Sequence, residues 1–591
     1  MPNPDHRIVK TIGTLLVSLS LINFFVILYD FGFRQTPGTK ALLLSFYSLS
    51  LIGLWILFLL RLVVLHGHPK NKRGPRLTDY FIFSLLSFIL FVRYFWVAWF
   101  LEHMPLVESL YFVHLLFLSV FLIEISKVSL AFYRVQFNPA FLYISSFVLL
   151  ILFGTGLLLL PKATRNGIDL IDAFFTATSA VCVTGLVVVD TATDFTATGK
   201  IIILLLIQIG GLGVMTLTSF FGFFFQGAYS YQSQLLLRDF INEDKIGHIS
   251  KTLFKIIFFT LFAELLGAIF IFYSLDNAAF VTFADKVQFS IFHSISAFCN
   301  AGFSTMTDGL YDVRFRHAYT FQLVIIGLII LGGIGFPVIF NYYRYVSHYL
   351  ANRSRQILNK KPFMYDSRVL NVNSYLIVNT TLALLVIGTV LFLITEYQDA
   401  LTERSVYGTI VTALFGSVTP RTAGFNTVDM TTLTRPTILF YLLFMWIGAS
   451  PGSTGGGIKT TTFAIALLNT LSIARAKDRL EVFRREIPGA SVRRAFAVML
   501  LSFLVIGLAV FLVSLFNPEM DLIVIAFECF SAYSTVGLSL GITADLSFAS
   551  KIVIMITMFL GRVGTLTLLI GFMRSVTSLS YRYPSENVFI S

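Results

Sequence analysis

Four short stretches of this chain carry the residues best placed to do chemistry: FFTATSAVCVTGLVV, IFHSISAFCNAGFST, ALFGSVTPRTAGFNT and AFECFSAYSTVGLSL. Aligned on Gly185, Gly302, Gly424 and Gly537, they recur about every 115–120 residues, beyond the usual solenoid periods. Phe175, Phe292, Leu414 and Phe527 stand ten residues before the glycine, and Leu186, Phe303, Phe425 and Leu538 follow it. Six and five residues before it stand Ser179-Ala180, Ser296-Ala297, Val418-Thr419 and Ser531-Ala532. The chemistry such a set supports is coordination of a cation. A helix C-terminus carries partial negative charge. Glycine lets the following backbone turn at φ values that other residues resist. A ring of carbonyls can then replace the hydration shell of a potassium-sized ion. The candidate filter backbone is Val183, Thr184 and Gly185; Asn300, Ala301 and Gly302; Thr422, Ala423 and Gly424; and Thr535, Val536 and Gly537.

A second constellation is GASPGSTGGGIK, Gly448 to Lys459. It resembles a phosphate-cradling loop but fails the pattern, because Ile458 separates Gly457 from Lys459 where a Walker A loop needs Gly directly before Lys. No strand precedes it and no soluble nucleotide domain accompanies it. It interrupts an apolar span instead. Gly452, Gly455, Gly456 and Gly457 loosen the backbone there, while Ser453, Thr454 and Thr460 offer hydroxyls to the freed polar groups. Related glycine motifs, IQIGGLG, IILGGIG and MFLGRVG, follow the other three segments and align Gly210, Gly332 and Gly561 with Gly448. In repeats one and two the GGxG motif is expected to stay a compact helix. In repeat four Arg562 takes the place of Gly211 and Gly333. An arginine at that depth must pair, snorkel or face water, and a helix carbonyl or Glu264 is the alternative partner.

The elements that position these residues are membrane spans. Of the 591 residues 56% are hydrophobic and 13% charged, and mean hydropathy is +0.82, which defines a polytopic membrane protein. Apolar stretches of spanning length fall near 11–32, 41–65, 80–101, 107–132, 140–160, 198–226, 252–275, 318–345, 373–395, 436–471, 493–516 and 549–575. Four shorter ones, near 169–182, 287–300, 404–420 and 521–534, are too short to cross and read as re-entrant helices. With the N-terminus in the cytoplasm, the inside loops hold Lys70, Lys72, Arg73, Arg76, Arg344, Arg353, Arg355, Lys360, Lys361, Arg475, Lys477, Arg484, Arg485, Arg493 and Arg494, and the outside loops are mainly acidic. The net charge of +12 is therefore topological, and no nucleic-acid partner is expected. The three cysteines lack metal or disulfide spacing, and Cys182 and Cys299 are expected to pack behind the filter. Arg93, Glu124 and Lys127, in the N-terminal spans, are expected to snorkel or to contact other helices.

The motifs CVTGL, NAGFST, VTPRTAGFNTVD, STVGLSLG, GASPGSTGGGIKTTTF and GRVGTLT resemble the ion-translocating subunit of the Trk/Ktr/HKT potassium transporter superfamily, TrkH-type members in particular, over about residues 137–580. The resemblance implies an all-α polytopic membrane protein with four span–pore-helix–span repeats around a pseudo-fourfold pore, plus about four extra N-terminal spans. The corresponding division is 1–136, an N-terminal extension, then pore repeats at 137–240, 241–350, 351–480 (with the loop) and 481–591. It implies a homodimer in the bacterial cytoplasmic (inner) membrane and a cytosolic nucleotide-binding, TrkA-like regulatory ring. Potassium is then the substrate at the filter, and nucleotide belongs to the partner, with no cofactor in this chain. Glycine in all four filters resembles potassium-selective members; a serine in the first would point toward sodium. The resemblance makes Gly448, Gly452, Ser453, Thr454, Gly455, Gly456, Gly457, Lys459 and Arg562 an intramembrane gate below the filter. The expected function is potassium uptake, without covalent chemistry. A proton- or sodium-coupled symporter on the same scaffold is one rival; a membrane enzyme or ATP-driven pump is the other.

Overall fold

A computed structural model describes residues 4–66, 77–95, 110–132, 139–213, 249–359, 370–402 and 404–572. The basic loop at 70–76 and the distal part of the expected span at 198–226 lie outside the described residues. The regular structure is helical apart from one hairpin, Glu481–Val482 paired with Arg485–Glu486. Among the described residues four helices precede the repeats: α1 (Pro4–Gly32), α2 (Pro37–His66), α3 (Leu77–Phe95) and α4 (Leu110–Phe132). They share a core of their own around Leu51, Leu54, Phe58, Leu86, Phe117 and Val120. Charges buried in it are paired, as burial requires. Glu124 is 2% exposed and lies 3.1 Å from Arg61 of α2, which also lies 3.6 Å from Asp79 of α3. Glu124 therefore contacts another helix and does not snorkel; the side chains of Arg93 and Lys127 lie outside the described residues.

Each repeat has the same order. Repeat one is α5 (Pro139–Leu158), pore helix α6 (Leu170–Cys182) and α7 (Ala197–Leu212); repeat two is α8 (Ile249–Ser274), pore helix α9 (Phe283–Phe298) and α10 (Tyr319–Ile334), continued by α11 (Phe336–Asn359). Repeat three is α12 (Val372–Glu396), pore helix α13 (Val406–Val418) and the broken span α14 (Arg435–Trp446) and α15 (Thr460–Ala474). Repeat four is α16 (Gly489–Phe516), pore helix α17 (Leu522–Ser534) and α18 (Phe548–Val563), continued by α19 (Thr565–Phe572). The pore helices have 13, 16, 13 and 13 residues. At ~1.5 Å per residue they reach only about 20–24 Å, short of a ~30 Å hydrocarbon layer. Side chains at their N-termini start three of them: Thr282 and Asp285 form a capping box, and Ser405 and Asp521 accept from backbone N–H groups.

By length and composition, six described helices can cross a membrane alone, and α10–α11 and α18–α19 do so only as pairs bent by 97° and 87°. The GGxG motif is helical through Leu212 in repeat one and Ile334 in repeat two, as expected, but its last glycine leaves the helix, and in repeat two the chain bends there. The last glycine of each motif, Gly213, Gly335 and Gly564, has φ of 82°, 91° and 87°, which stops the helix. At Gly335 the next amide, Phe336 N, donates to Gly452 O at 3.2 Å, so the loop of repeat three takes a bond that a continuous helix would have kept.

Small residues set how closely each second span lies against its pore helix. A Cβ added at Gly210, Gly332 or Gly561 would collide with the carbonyl oxygen of Val181, Phe298 or Tyr533, in each case four residues before the filter glycine. Repeats one and four are joined by Lys551 Nζ, 2.7 Å from Asp172 Oδ1. Gly332→Ala is expected to destabilise the fold by about 1–3 kcal/mol, because backbone must move to admit the methyl group. Thermal unfolding in detergent, read beside Gly13→Ala, where an added Cβ meets nothing within 4 Å, checks this.

Candidate ion-conduction site

The ends of the pore helices define the site. In repeats one, two and four the pore helix closes with paired bonds back to its last turn. Val183 N donates to Ala180 O (3.1 Å) and Thr184 N to Ser179 O (2.8 Å); Asn300 N to Ala297 O (3.1 Å) and Ala301 N to Ser296 O (2.8 Å); Thr535 N to Ala532 O (3.2 Å) and Val536 N to Ser531 O (2.9 Å). This is a Schellman ending, which needs a left-handed residue just past the helix. Val183, Asn300 and Thr535 take it, at φ of 57°, 58° and 50°. In repeat three Pro420 alters the bonding, yet Thr422 still has φ of 66°. Non-glycine residues rarely hold such values, and four at one register mark a constrained site.

Two residues later, Gly185, Gly302, Gly424 and Gly537 are again at positive φ, between 69° and 93°. Their surroundings close a circle. An added Cβ on Gly185 would strike Ala301 O and Gly302 Cα; one on Gly302, Ala423 O and Gly424 Cα; one on Gly424, Val536 O and Gly537 Cα; one on Gly537, Thr184 O and Gly185 Cα. The order 1-2-3-4-1 follows the sequence. All twelve candidate filter residues are thus brought to one ring, with the carbonyls before the glycines packed against the neighbouring glycines. Hydroxyls hold the ring from behind: Ser179 Oγ accepts from Gly185 N (3.0 Å), Ser531 Oγ accepts from Gly537 N (3.1 Å), Ser296 Oγ donates to Phe303 O (2.8 Å), and Thr419 Oγ1 donates to Phe425 O. The hydroxyls of Thr184, Ser534 and Thr535 are buried with no hydrogen-bond partner among the described residues.

The glycine loop lies against this ring. An added Cβ on Gly455 would strike Thr422 Oγ1, one on Gly456 Thr535 Oγ1, and one on Gly457 would touch Ser534. Thr454 Oγ1 donates to Phe298 O (3.2 Å), while Thr454 N and Ser450 N donate to Gly332 O (3.3 Å) and Gly333 O (3.1 Å). Gly448 faces Gly456 O, so the two arms of the loop touch, and Ile447 bridges Ile458. Gly452 and Ser453 sit on the other side, at the α10–α11 bend, where Ser453 Oγ donates to Ser450 O (2.6 Å). Arg562 joins the loop to repeat one: its guanidinium donates to Thr454 O and to Gly210 O. Lys459 Nζ donates to Gly455 O at 2.7 Å. Neither cation has a carboxylate within ion-pair distance among the described residues. Of the two alternative partners for Arg562, the helix carbonyl is met at Gly210 O, whereas Glu264 accepts instead from Gln208 Nε2 at 2.9 Å. Cys182 and Cys299 are free and buried, Cys299 Sγ against Gly211.

Sequence reading missed the left-handed residues, the supporting hydroxyls and Arg421, which is buried beside the third filter at 9% exposure with no acceptor for its Nε. The SxxxxxG spacing of Ser179 and Ser531 carried a signal for the hydroxyls; nothing local marked Arg421.

Four re-entrant helices whose ends close into one ring, each between two spans, define a pseudo-fourfold pore in a polytopic all-α membrane protein. The profile of the TrkH family, described as a cation transport protein, matches residues 106–581, and the chain belongs to that family of transporters. Among similar proteins, the Ktr system potassium uptake protein B of Vibrio alginolyticus is 36% identical over 445 residues, covering 75% of this chain and 93% of the relative. The potassium/sodium uptake protein NtpJ of Enterococcus hirae is 34% identical over 471 residues, covering 77% and 98%. The crystal structure of the potassium transporter TrkH from Vibrio parahaemolyticus superposes with a TM-score of 0.56 at 17% identity, over 96% of this chain and 98% of that one, a likeness of fold.

Gly537→Ala is expected to lower rubidium uptake at least about tenfold, since the methyl group adds both φ strain and a clash with Thr184 O. Uptake into cells lacking other potassium systems, scaled to the amount of inserted protein, measures it.

Proposed function

We propose that this chain takes up potassium across the cytoplasmic membrane through the glycine ring, and that the loop at 448–459 together with Arg562 gates it. The observation that carries this reading is the closed circle of four glycines, each against the next repeat's carbonyl. Such a ring presents oxygen ligands and no side chains, which suits a dehydrated monovalent cation. Potassium as the cargo is supported by the names of the Ktr and TrkH relatives; the NtpJ name pairs potassium with sodium, so both ions belong in the test. Potassium flux into liposomes holding only this chain, with sodium as competitor, tests the proposal. Equal permeability to the two ions would defeat it. Flux that needs a proton or sodium gradient would favour the coupled symporter over a passive path.

The gate rests on charge and position. Loop atoms press on the ring from residues 455–457, and Arg562 and Lys459, without carboxylate partners among the described residues, stand beside them. In a low-dielectric pore a fixed positive charge repels a passing cation strongly. Deleting Gly452 to Gly457 and changing Arg562→Ala are each expected to raise basal rubidium flux. Because Arg562 holds Thr454 O, both act on one barrier, and the double change should add little beyond the larger single effect. Two properly inserted single variants with parental flux would place the barrier elsewhere.

A homodimer with its N-terminus in the cytoplasm, and a regulatory ring docked on the basic inside loops, complete the proposal. Support comes from the hairpin Glu481–Glu486, where the non-glycine residues Phe483 and Arg484 hold φ of 49° and 62° at its tip and Phe483 is exposed. Charge reversal at Arg484 and Arg485 is expected to weaken co-purification of the regulatory subunit, most strongly at low salt. Unchanged association at low salt would remove the hairpin from the interface.

A further inference from the structure

At one level of the pore helices the four repeats differ. Nine residues before the filter glycines stand Thr176, His293, Phe415 and Glu528. His293 and Glu528 are both 0% exposed, and by the order of the ring they belong to repeats that face each other across a diagonal. His293 Nδ1 lies 2.9 Å from Phe289 O. A carbonyl only accepts, so Nδ1 carries the proton and Nε2 accepts from Ser304 Oγ at 3.0 Å. Ser304 is two residues past Gly302. On the opposite side Thr543 Oγ1 donates to Glu528 Oε1 at 2.5 Å. The same hydroxyl lies 3.0 Å from Ser539 Oγ, to which it can also donate, so its one proton is shared between the two acceptors. Ser539 is two residues past Gly537. His293 therefore reaches directly from the pore helix to the chain leaving the filter, and Glu528 reaches it through Thr543.

The other two repeats lack this tie. The Thr176 hydroxyl in repeat one is buried without a hydrogen-bond partner among the described residues, and Val187 stands at the point the tie would reach. In repeat three Phe415 fills the level. There the departing chain is held from further along, by Arg404 to Thr427 O (2.9 Å) and to Thr412 Oγ1 (2.5 Å).

We propose that Glu528 and His293 are positioning residues for ion selectivity, fixing from behind, along one diagonal, the chain that leaves Gly537 and Gly302. Neither touches the ion. A carbonyl ring tied at two opposite points resists closing on a smaller cation. The inference rests on the filter reading above, and the parental protein's own selectivity separates the two.

The test is the potassium-to-sodium permeability ratio in liposomes, with total rubidium flux and gel-filtration profile recorded for every variant. Glu528→Ala and Thr543→Val should each lower the ratio about tenfold, through loss of one buried hydrogen bond. The pair together should do no more than either alone. His293→Ala should lower it likewise. Glu528→Gln and His293→Gln keep an acceptor in place and should hold the ratio within about twofold of the parent. Thr176→Val removes a buried hydroxyl at the same depth that bonds nothing, and should leave the ratio unchanged. If Glu528→Ala fails to fold, Thr543→Val carries the test. Parental ratios in folded Thr543→Val and His293→Ala overturn the proposal. So does an equal loss in Thr176→Val, which would make the effect one of packing, or a loss in Glu528→Gln as large as in Glu528→Ala, which would make it one of charge. A parent that does not distinguish the ions overturns the filter reading and this inference with it.

Discussion

Four backbones meet at a place with no room for a Cβ, and the rest of the molecule is arranged around that meeting. Each filter glycine is covered by a carbonyl oxygen and a Cα from the next repeat, so the ring closes only if all four pore helices end at the same depth. The half-length of those helices, the left-handed residue two before each glycine and the hydroxyls behind it all serve that end point. The second spans follow from it as well. Gly210, Gly332 and Gly561 let three of them lie directly on the pore-helix carbonyls, and the ring is thereby held by backbone contact as much as by side chains.

Repeat three departs from the pattern, and the departure gives the pore its asymmetry. Where the other spans meet their pore helices, Gly448 meets its own loop at Gly456, and the freed backbone groups go to repeat two at Gly332 and Gly333. Irregular backbone at membrane depth must find such partners, because lipid offers none. Repeat four answers with Arg562, which binds the loop at Thr454 O and the first repeat at Gly210 O. One loop is thus bonded to or packed on repeats two, three and four and is linked to repeat one by Arg562. The bend at Gly335 belongs to the same arrangement, since its neighbouring amide is committed to Gly452 O.

Four carboxyl groups away from the axis are each held by a polar partner. Glu124 has Arg61, Asp172 has Lys551, Glu264 has Gln208 and Glu528 has Thr543. Each joins two segments distant in sequence or the two sides of one turn, so polar contacts here act as register marks between apolar helices that would otherwise slide.

The sequence by itself determined the class, the four repeats, the half-spans, the recurring glycines that form the ring and the interruption at 448–459. Those features are written in local composition: span length, an interrupted apolar run, and a glycine recurring at one register. It also gave the N-terminal extension as four apolar runs. Only the tertiary structure decided which atoms meet. That Gly185 faces Ala301, that Arg562 reaches Thr454 and not Glu264, and that His293 and Glu528 stand on one diagonal are contacts between or across segments, many of them more than a hundred residues apart. No pattern within a window of sequence specifies them. The 97° bend at Gly335 combines both levels: Gly335 at positive φ and Pro337 mark a local break, and the amide between them donates to a loop of another repeat. Local propensity fixes what an element is able to do; packing against its neighbours selects which conformation it adopts.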